Sequence, residues 1–249
     1  MTDTATDLPV RTPLSIAVDG PSGSGKSSVS KAVARSLGLA YLDTGAMYRA
    51  ATLWVVREGV DFDDQSAVAA AVRAMPLVQT LDPVDPGVAL AGQDVAEAIR
   101  SEDVTRVVSR VATNLDVRAE LRRRQREIID GETRPGGYSA GRGIVAEGRD
   151  ITTVVAPDAD VRILLTASEE SRLARRSLEV RGTADAESVA AMRDQVLRRD
   201  RDDSTVTEFT VAADGVVTLD SSDLDFDQTV AAALQIVSRA AHVRPATKA

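Results

Sequence analysis

Short apolar runs alternate with helical stripes along most of the 249-residue chain. Leu14 to Val18 is an apolar run typical of a buried strand, and it leads into a loop rich in glycine and serine. Beyond the loop, Val29, Val33 and Leu37 recur at helical spacing, and Gly38 follows where a helix commonly ends. The pattern predicts a strand, a loop and a helix, in that order.

The same alternation returns in the second half of the chain. Three further strands are predicted, at Ile144 to Ala146, Val161 to Leu165 and Val216 to Leu219. Helical apolar stripes occupy 104–111 and 226–237, and Ser168 followed by two glutamates is typical of a helix N-terminus. Strands that alternate with helices predict a parallel sheet covered on both faces.

Residues 76–96 interrupt this alternation. Two apolar segments, Pro76 to Leu81 and Val88 to Ala91, flank a turn rich in aspartate and proline. They predict an antiparallel hairpin, with a plain surface loop as the alternative. Because no repeat or linker divides the chain, we expect one compact unit with loose tails at 1–12 and 243–249.

Composition narrows the class of protein. With 43% hydrophobic residues the chain can build one core, and its apolar runs are too short to span a membrane. The chain has no cysteine and therefore no disulfide, and residues 1–12 lack the basic and apolar pattern of a signal peptide. These properties favour a cytoplasmic protein.

The charged residues are unevenly distributed. A formal net charge of −8 argues against a nucleic-acid polymer or an anionic membrane as partner. Yet 27 of the 30 basic residues are arginines, and sixteen of these lie in two segments, 100–126 and 172–201. Locally concentrated arginine suits a compact anion such as a phosphate group. Solvated helix faces with paired Glu and Arg residues are the alternative.

The loop after the first predicted strand carries the most specific motif. The phosphate-binding pattern G-x-x-x-x-G-K-[ST] is matched by Gly20-Pro21-Ser22-Gly23-Ser24-Gly25-Lys26-Ser27, between a predicted strand and a predicted helix. Its backbone amides would hold phosphate oxygens, with Lys26 at the β- and γ-phosphates and the Ser27 hydroxyl on Mg²⁺. The motif predicts a bound nucleoside triphosphate.

Two classes of nucleotide-dependent protein lack support in the sequence. No lysine lies between Lys31 and Lys248, so the Asn-Lys-x-Asp and Thr-Lys-x-Asp motifs with which regulatory GTPases bind guanine are absent. The only histidine, His242, lies near the C-terminal tail, so the His-Arg-Asp loop of protein kinases is absent too. The sequence argues against both classes.

More polar residues follow the strand predicted at 144–146. Glu147 lies where such folds place the carboxylate that orients Mg²⁺ and its waters, with an ordinary strand-end acid as the alternative. Gly148-Arg149-Asp150 then bring a cation and an anion to the expected crevice. In phosphoryl transfer, an acceptor that is itself a phosphate needs positive charge nearby but no general base, whereas an alcohol acceptor benefits from one. The arginines therefore favour a phosphate as the acceptor. An aspartate such as Asp19 remains open as a general base for an alcohol.

Several stretches together resemble the bacterial cytidylate kinase family, whose members phosphorylate CMP and dCMP. They are Ile16 to Ser28 (IAVDGPSGSGKSS), Leu42 to Arg49 (LDTGAMYR), Val145 to Asp150 (VAEGRD) with Thr153 to Val155 and Pro157 to Ala159, and Arg199-Asp200 with Asp203-Ser204-Thr205. Together with the insert, they cover about residues 14–240.

The resemblance implies an α/β P-loop fold with a five-stranded parallel sheet. The kinase domain is expected at 13–242, with core segments at about 13–45, 98–170 and 185–242, a monophosphate-binding insert at about 46–97 and a helical lid at about 171–184. It also implies transfer of the γ-phosphoryl group of ATP, with Mg²⁺, to CMP or dCMP by a monomer. A P-loop kinase for another acceptor such as UMP, or an ATP- and CMP-binding sensor without turnover, is the alternative.

Individual residues take expected roles from their match to the family's motifs. ATP is expected to bind at Gly20, Pro21, Ser22, Gly23, Ser24, Gly25, Lys26, Ser27 and Ser28, and the metal at Ser27 and, through water, at Glu147. The expected contacts to CMP are Thr44, Arg49 and Arg149 for the phosphate, Ser109, Arg118 and Asp150 for cytosine, and Arg199 and Asp203 for the ribose. The expected catalytic residues are Lys26, Arg49, Arg149, Arg172 and Arg176.

The base assignment also agrees with simple chemistry. An Asp150 carboxylate suits the N4 amino group of cytosine and repels O4 of uracil, unless Asp150 pairs structurally with Arg149 or Arg118. Three positions depart from the family pattern. Val206 stands where an arginine is usual, and Thr152 and Ala156 replace the usual Gly and Phe, so we expect weaker monophosphate binding than is typical.

Overall fold

The computed structural model describes residues 13–183 and 185–243. The tail expected at 1–12 lies outside the described residues, as do residues 244–249 of the C-terminal tail. None of the helices in the described ranges combines the length and the apolar content needed to cross a bilayer.

The strands and helices alternate along the described chain. The strands are β1 (Leu14–Asp19), β2 (Ala40–Asp43), β3 (Leu77–Gln79), β4 (Val88–Leu90), β5 (Gln93–Asp94), β6 (Gly143–Gly148), β7 (Val161–Thr166) and β8 (Val217–Asp220). The α-helices are α1 (Lys26–Leu37), α2 (Thr44–Arg57), α3 (Gln65–Ala74), α4 (Glu102–Ala112), α5 (Leu115–Gly131), α6 (Glu169–Arg181), α7 (Ala186–Ser204) and α8 (Phe226–Val243).

Five strands form one parallel sheet in the order β2-β6-β1-β7-β8, which confirms the predicted α/β architecture. In register, Asp43 pairs with Glu147, and Asp19 pairs with Gly148. The carboxyl ends of β1, β2 and β6 therefore meet at one edge of the sheet. This is the edge at which parallel α/β sheets bind ligands.

Each face of the sheet carries an apolar layer, as buried parallel strands require. On one face Leu42 and Ile144 pack with apolar residues of α2, α3 and α5. On the other, Ile16 and Val145 pack with apolar residues of α1 and α8. Residues from the expected insert, such as Met47 on α2, belong to the first of these cores and so share it with the sheet.

The hairpin predicted at 76–96 is present. Strands β3 and β4 pair antiparallel, and a two-residue strand β5, which the sequence pattern did not predict, extends the small sheet. Beyond β3, the carbonyl of Leu81 accepts a hydrogen bond from the Tyr41 N–H at 2.9 Å. The insert is thereby joined to the outer edge of β2.

Local sequence signals fix where several helices begin and end. Asp43 accepts from the Ala46 N–H at 2.8 Å at the start of α2. Ser168 caps α6 through the Ser171 N–H, as its position before two glutamates predicts. Helix α1 ends at Gly38, whose φ of 64° is the left-handed conformation that favours glycine.

Candidate active site

The loop between β1 and α1 has the shape of a phosphate cradle. Gly23 and Gly25 have φ values of 77° and 87°, a region that side chains with a Cβ rarely adopt, so the glycines of the motif are required here. Helix α1 begins at Lys26 with no acidic residue in its first turn, and the Lys26 ammonium lies 3.5 Å from the Pro21 carbonyl oxygen. The helix N-terminus and the lysine thus present positive charge at the loop.

Helix α6, in the expected lid, lies directly on this loop. A Cβ atom built on Gly23 would stand 2.4 Å from the carbonyl oxygen of Arg172, so only glycine permits the approach. The Arg172 guanidinium donates to the Ser22 carbonyl at 3.0 Å, and Arg175 donates to the Ser24 carbonyl at 3.2 Å. The expected lid is therefore in contact with the loop.

The two residues expected at the metal lie side by side. The Ser27 hydroxyl donates to Oε1 of Glu147 at 2.7 Å, and the Tyr41 hydroxyl donates to the same oxygen at 3.3 Å. Burial and the nearby Asp43 carboxylate raise the pKa of Glu147 to about 7, although Lys26 acts in the opposite direction. A cation held here would relieve this accumulation of buried negative charge.

A cavity of about 170 Å³ brings most of the predicted residues together. Those that line it are Ser22, Gly23, Gly25, Lys26, Ser27, Ser28, Thr44, Arg49, Arg118, Glu147, Arg149, Asp150, Arg176 and Asp203. Tyr48, Arg100 and Thr207 also line it, although no role was predicted for them. The cavity thus joins the phosphate loop to an arginine-rich pocket.

Arg149 is held from three sides within this cavity. Its guanidinium contacts Asp200 at 2.8 Å and Asp203 at 2.9 Å, and it lies 4.3 Å from the centre of the Phe209 ring. Only 13% of the Arg149 side chain is exposed, so these charge-assisted contacts are weakly screened. Asp203, expected at the ribose, therefore also orients Arg149, which is expected at the phosphate.

Asp200 is a further functional candidate. It belongs to the Arg199-Asp200 stretch that resembles the family, but the sequence indicated no role for it. It lies on α7 and accepts from the Ser22 N–H at 3.1 Å, from Arg149 at 2.8 Å and from Arg172 at 2.5 Å. Burial alone would raise the pKa of Asp200, but Arg149, the Ser22 N–H and Arg172 outweigh it, and the pKa is lowered. One carboxylate thus connects the phosphate loop, helix α6 and Arg149 in the wall of the cavity.

The far end of the cavity contains a buried ion pair. Asp150 accepts from Arg118 at 2.7 Å, so the structural pairing that the sequence left open is present. Arg122 binds the same carboxylate at 2.7 Å, a contact that no sequence motif indicated. The hydroxyl of Tyr48 is buried here and has no hydrogen-bond partner among the described residues. Burial raises the pKa of Tyr48 to about 12, so the hydroxyl remains a proton donor.

Thr44 and Arg49 hold the start of α2 against the rest of the cavity wall. The Thr44 hydroxyl donates to the Glu147 carbonyl at 2.8 Å. The Arg49 guanidinium is 6% exposed and donates to the Thr105 hydroxyl at 2.9 Å and to the Ile99 carbonyl at 3.1 Å. Arg49 therefore bridges α2 and α4 at the wall of the cavity.

Some predicted residues lie outside the main cavity. Ser109 lines a small neighbouring cavity of about 20 Å³, together with Ser22, Arg176 and Asp202. Gly20, Pro21 and Ser24 form the buried base of the loop, and Arg172 reaches the loop from outside. The Arg199 side chain is outside what the structure describes.

Asp19, which remained open as a general base, is occupied by structural contacts. Its carboxylate accepts from the Ile151 N–H, the Thr152 N–H and the Thr152 hydroxyl at 2.6 to 2.9 Å. Burial raises its pKa despite these hydrogen bonds. Asp19 is 2% exposed and does not line the main cavity, so the structure gives it an anchoring role and gives the unusual Thr152 a partner.

A third cavity, of about 370 Å³, lies on the other side of the phosphate loop. Apolar residues Val29, Leu224 and Phe226 line it, together with Arg175 and Thr229. Arg175 is fixed by hydrogen bonds to the carbonyls of Ser221 and Leu224, at 2.6 and 3.2 Å. An apolar slot with a guanidinium at its wall suits a planar heterocycle.

Known proteins resemble this chain over most of its length. The sequence model of a family described as cytidylate kinase matches residues 16–239. Proteins named cytidylate kinase from Streptomyces avermitilis and Rhodococcus opacus are 46% and 47% identical over 223 and 227 residues. These matches cover 89% and 90% of this chain and 91% and 95% of the relatives. A third, from Nocardia farcinica, is 45% identical over 230 residues, or 92% of this chain and 95% of the relative.

Proposed function

Since the chain belongs to the cytidylate kinase family, we propose that it transfers the γ-phosphoryl group of ATP to CMP or dCMP, giving ADP and CDP or dCDP. One observation carries the proposal: the phosphate loop and the pocket with Arg149, Arg118 and Asp150 line a single cavity. A donor phosphate on the loop and an acceptor phosphate in the pocket would therefore lie next to each other.

On the donor side, we propose that the triphosphate lies along Gly20 to Ser28. The loop amides and the N-terminus of α1 would bind its oxygens, and Lys26 would neutralise charge on the β- and γ-phosphates. The adenine base would occupy the cavity of about 370 Å³ beside Leu224 and Phe226, with Arg175 at its wall. Apolar contacts of this kind suit a purine ring.

The donor set at Ser27 and Glu147 fits Mg²⁺. This ion prefers oxygen ligands and keeps several waters, so one hydroxyl, substrate phosphates and a nearby carboxylate are sufficient. Ser27 would ligate the ion directly, and Glu147 would hold its waters; the two side chains lie 2.7 Å apart. When bound, the ion neutralises charge on the β- and γ-phosphate oxygens.

On the acceptor side, Arg149, Arg49 and Thr44 would bind the α-phosphate of CMP. Asp150 and Arg118 would bind the base, with Ser109 at the adjoining small cavity. Asp203 and Arg199, both from α7, would bind the ribose. Arg100 and Arg176 also line the cavity, so positive charge is present there although position 206 is a valine.

In the proposed reaction, an oxygen of the CMP phosphate attacks the γ-phosphorus, and the bond from that phosphorus to the β-γ bridging oxygen breaks, releasing ADP. The acceptor is already an anion, so no general base is needed, in agreement with the structural occupation of Asp19. Lys26, Arg49, Arg149, Arg172 and Arg176 would stabilise the charge on the transferred group. Contact of α6 with the loop would keep water from the γ-phosphate.

An ADP-release assay with ATP, Mg²⁺ and each nucleoside monophosphate tests the proposal. CMP and dCMP are expected to be the best acceptors. Higher kcat/KM with UMP than with CMP would refute the assignment of the base, and binding of ATP and CMP without CDP formation would refute catalysis.

A further inference from the structure

Two arginines of α5 converge on the Asp150 carboxylate. Arg118 donates from Nη2 to Oδ2 at 2.7 Å, and Arg122 donates to that same oxygen from Nε at 2.9 Å and from Nη2 at 2.7 Å. Asp150 and Arg118 are buried and line the main cavity. Arg122 is 22% exposed and is not among the residues that line it, so it reaches the site only through Asp150.

The three hydrogen bonds leave the second oxygen of Asp150 available. No donor to Oδ1 is found among the described residues. The backbone around Asp150 is fixed as well, because its carbonyl accepts from the N–H groups of Val154 and Val155 at 2.9 and 3.0 Å. The following residue, Ile151, donates its N–H to Asp19. The side chain is therefore held in one orientation with Oδ1 as its remaining acceptor.

Arg118 alone does not account for this orientation. It gives Asp150 a single hydrogen bond, since its Nη1 donates to the Ala112 carbonyl at 3.1 Å and its buried Nε has no partner in the part of the chain that the structure describes. Arg122 follows Arg118 by four residues on the same helix, a spacing at which two like charges repel. Arg118 alone already balances the negative charge of Asp150, so the positive charge of Arg122 is not needed for neutralisation. What Arg122 adds is a guanidinium fork, that is, two hydrogen bonds from Nε and Nη2 of one guanidinium group to Oδ2.

We propose that Arg122 is a positioning residue that sets the preference for cytosine over uracil, by holding Asp150 so that Oδ1 faces the base. The inference rests on the proposed function. The N4 amino group of cytosine would donate to Oδ1, whereas uracil would present its O4 oxygen to the carboxylate and be repelled. Without the fork, Asp150 could turn about its side-chain torsions, which would weaken CMP binding and relieve the repulsion of UMP.

The test compares wild type with Arg122→Ala, Arg122→Lys and the control Arg123→Ala. Arg123 lies on the same helix but is 53% exposed and pairs with Glu120 and Glu127. Calorimetric titration would give the affinities for CMP and UMP. Loss of a charge-assisted contact predicts that Arg122→Ala lowers the ratio of CMP to UMP affinity about tenfold. Lysine, which lacks the fork, should recover only part of the ratio, and Arg123→Ala should leave it unchanged.

Steady-state kinetics separate this role from general damage to the fold. Arg122→Ala should raise KM for CMP while kcat stays within about twofold, because the residue does not touch the reacting phosphates. An affinity ratio within about twofold of wild type in both Arg122 variants would overturn the inference. Wild-type protein that prefers CMP in binding but forms no CDP would refute the proposed kinase function alone. Wild-type protein that binds CMP and UMP equally well but forms CDP would overturn the inference and leave the kinase function in place.

Discussion

Replacement of Asp200 by asparagine tests the carboxylate that joins α7 to the phosphate loop. The change removes one negative charge from between Arg149 and Arg172 but keeps the shape of the side chain and one carbonyl oxygen for the Ser22 N–H. Arg149 retains Asp203, and Arg172 retains the Ser22 carbonyl. We therefore expect a loss of stability without loss of the fold.

The size of the loss follows from burial and from the remaining partners. Removing one member of a buried ion pair costs about 3–5 kcal/mol. The Asp200 side chain is 14% exposed and both arginines keep another acceptor. These remaining contacts reduce the expected cost to about 2–3 kcal/mol. For a chain of this size, that corresponds to a decrease in melting temperature of about 4–12 °C.

Urea unfolding at several pH values would measure this loss. Because the pKa of Asp200 is lowered in the folded protein, its contribution to stability is present above the unfolded pKa of about 4 and is lost as the pH falls through the folded value. The difference between wild type and Asp200→Asn should therefore be constant between about pH 6 and 8 and shrink below about pH 4.

Asp202→Asn is the matched control, since Asp202 lies on the same helix and shows no side-chain ion pair among the described residues. Equal stability losses in the two variants would refute the reasoning. So would a loss from Asp200→Asn that is as large at pH 3 as at pH 7.

Three further substitutions test the loop and the base. Lys26→Met should lower kcat by about a hundredfold or more with little change in melting temperature, because a charge at the transferred group is removed; a loss below about tenfold would contradict the role of Lys26. Gly23→Ala should lower the melting temperature and the ATP affinity more than Gly182→Ala. Both glycines have positive φ, but only at Gly23 would an added Cβ collide with the backbone of Arg172. Equal effects of the two substitutions would contradict this reasoning. Asp150→Ala should reduce the preference for CMP over UMP, and unchanged discrimination in the ADP-release assay would place the base elsewhere.

Much of the fold was predictable because its determinants are local. Buried parallel strands appear as apolar runs, so the segments at 14–18 and 161–165 identified β1 and β7 almost to the residue. Strand β2 was missed by the periodicity because it has only four residues, Ala40–Asp43, and the last of them is an aspartate. Its place in the sheet depends on pairing with β6, a contact between residues about a hundred positions apart.

The candidate site also contains residues that a local sequence pattern identifies and residues whose contacts depend on tertiary packing. The phosphate loop is a local motif, so its glycines, Lys26 and Ser27 could be identified from sequence spacing alone. The contacts of Asp200 and Arg122 depend on how α7 and α5 are rotated against β6, and no local pattern specifies that rotation. In the segment 100–126, Arg118 and Arg122 pair with the buried Asp150, whereas Arg123 pairs with glutamates on the surface. Binding of a compact anion by this segment stays a prediction.

The attachment of the insert to β2 also bears on self-association. A parallel sheet with two open edges offers backbone donors and acceptors to other chains and invites aggregation. Here the hydrogen bond from Tyr41 to Leu81 covers one edge, and Gln79 adds a second contact there by donating to the Asp43 carbonyl at 2.9 Å. The opposite edge is β8, only four residues long and ending in an aspartate. The expected insert, whose Tyr48 and Arg49 line the main cavity, thus also helps to keep concentrated protein from pairing edge to edge.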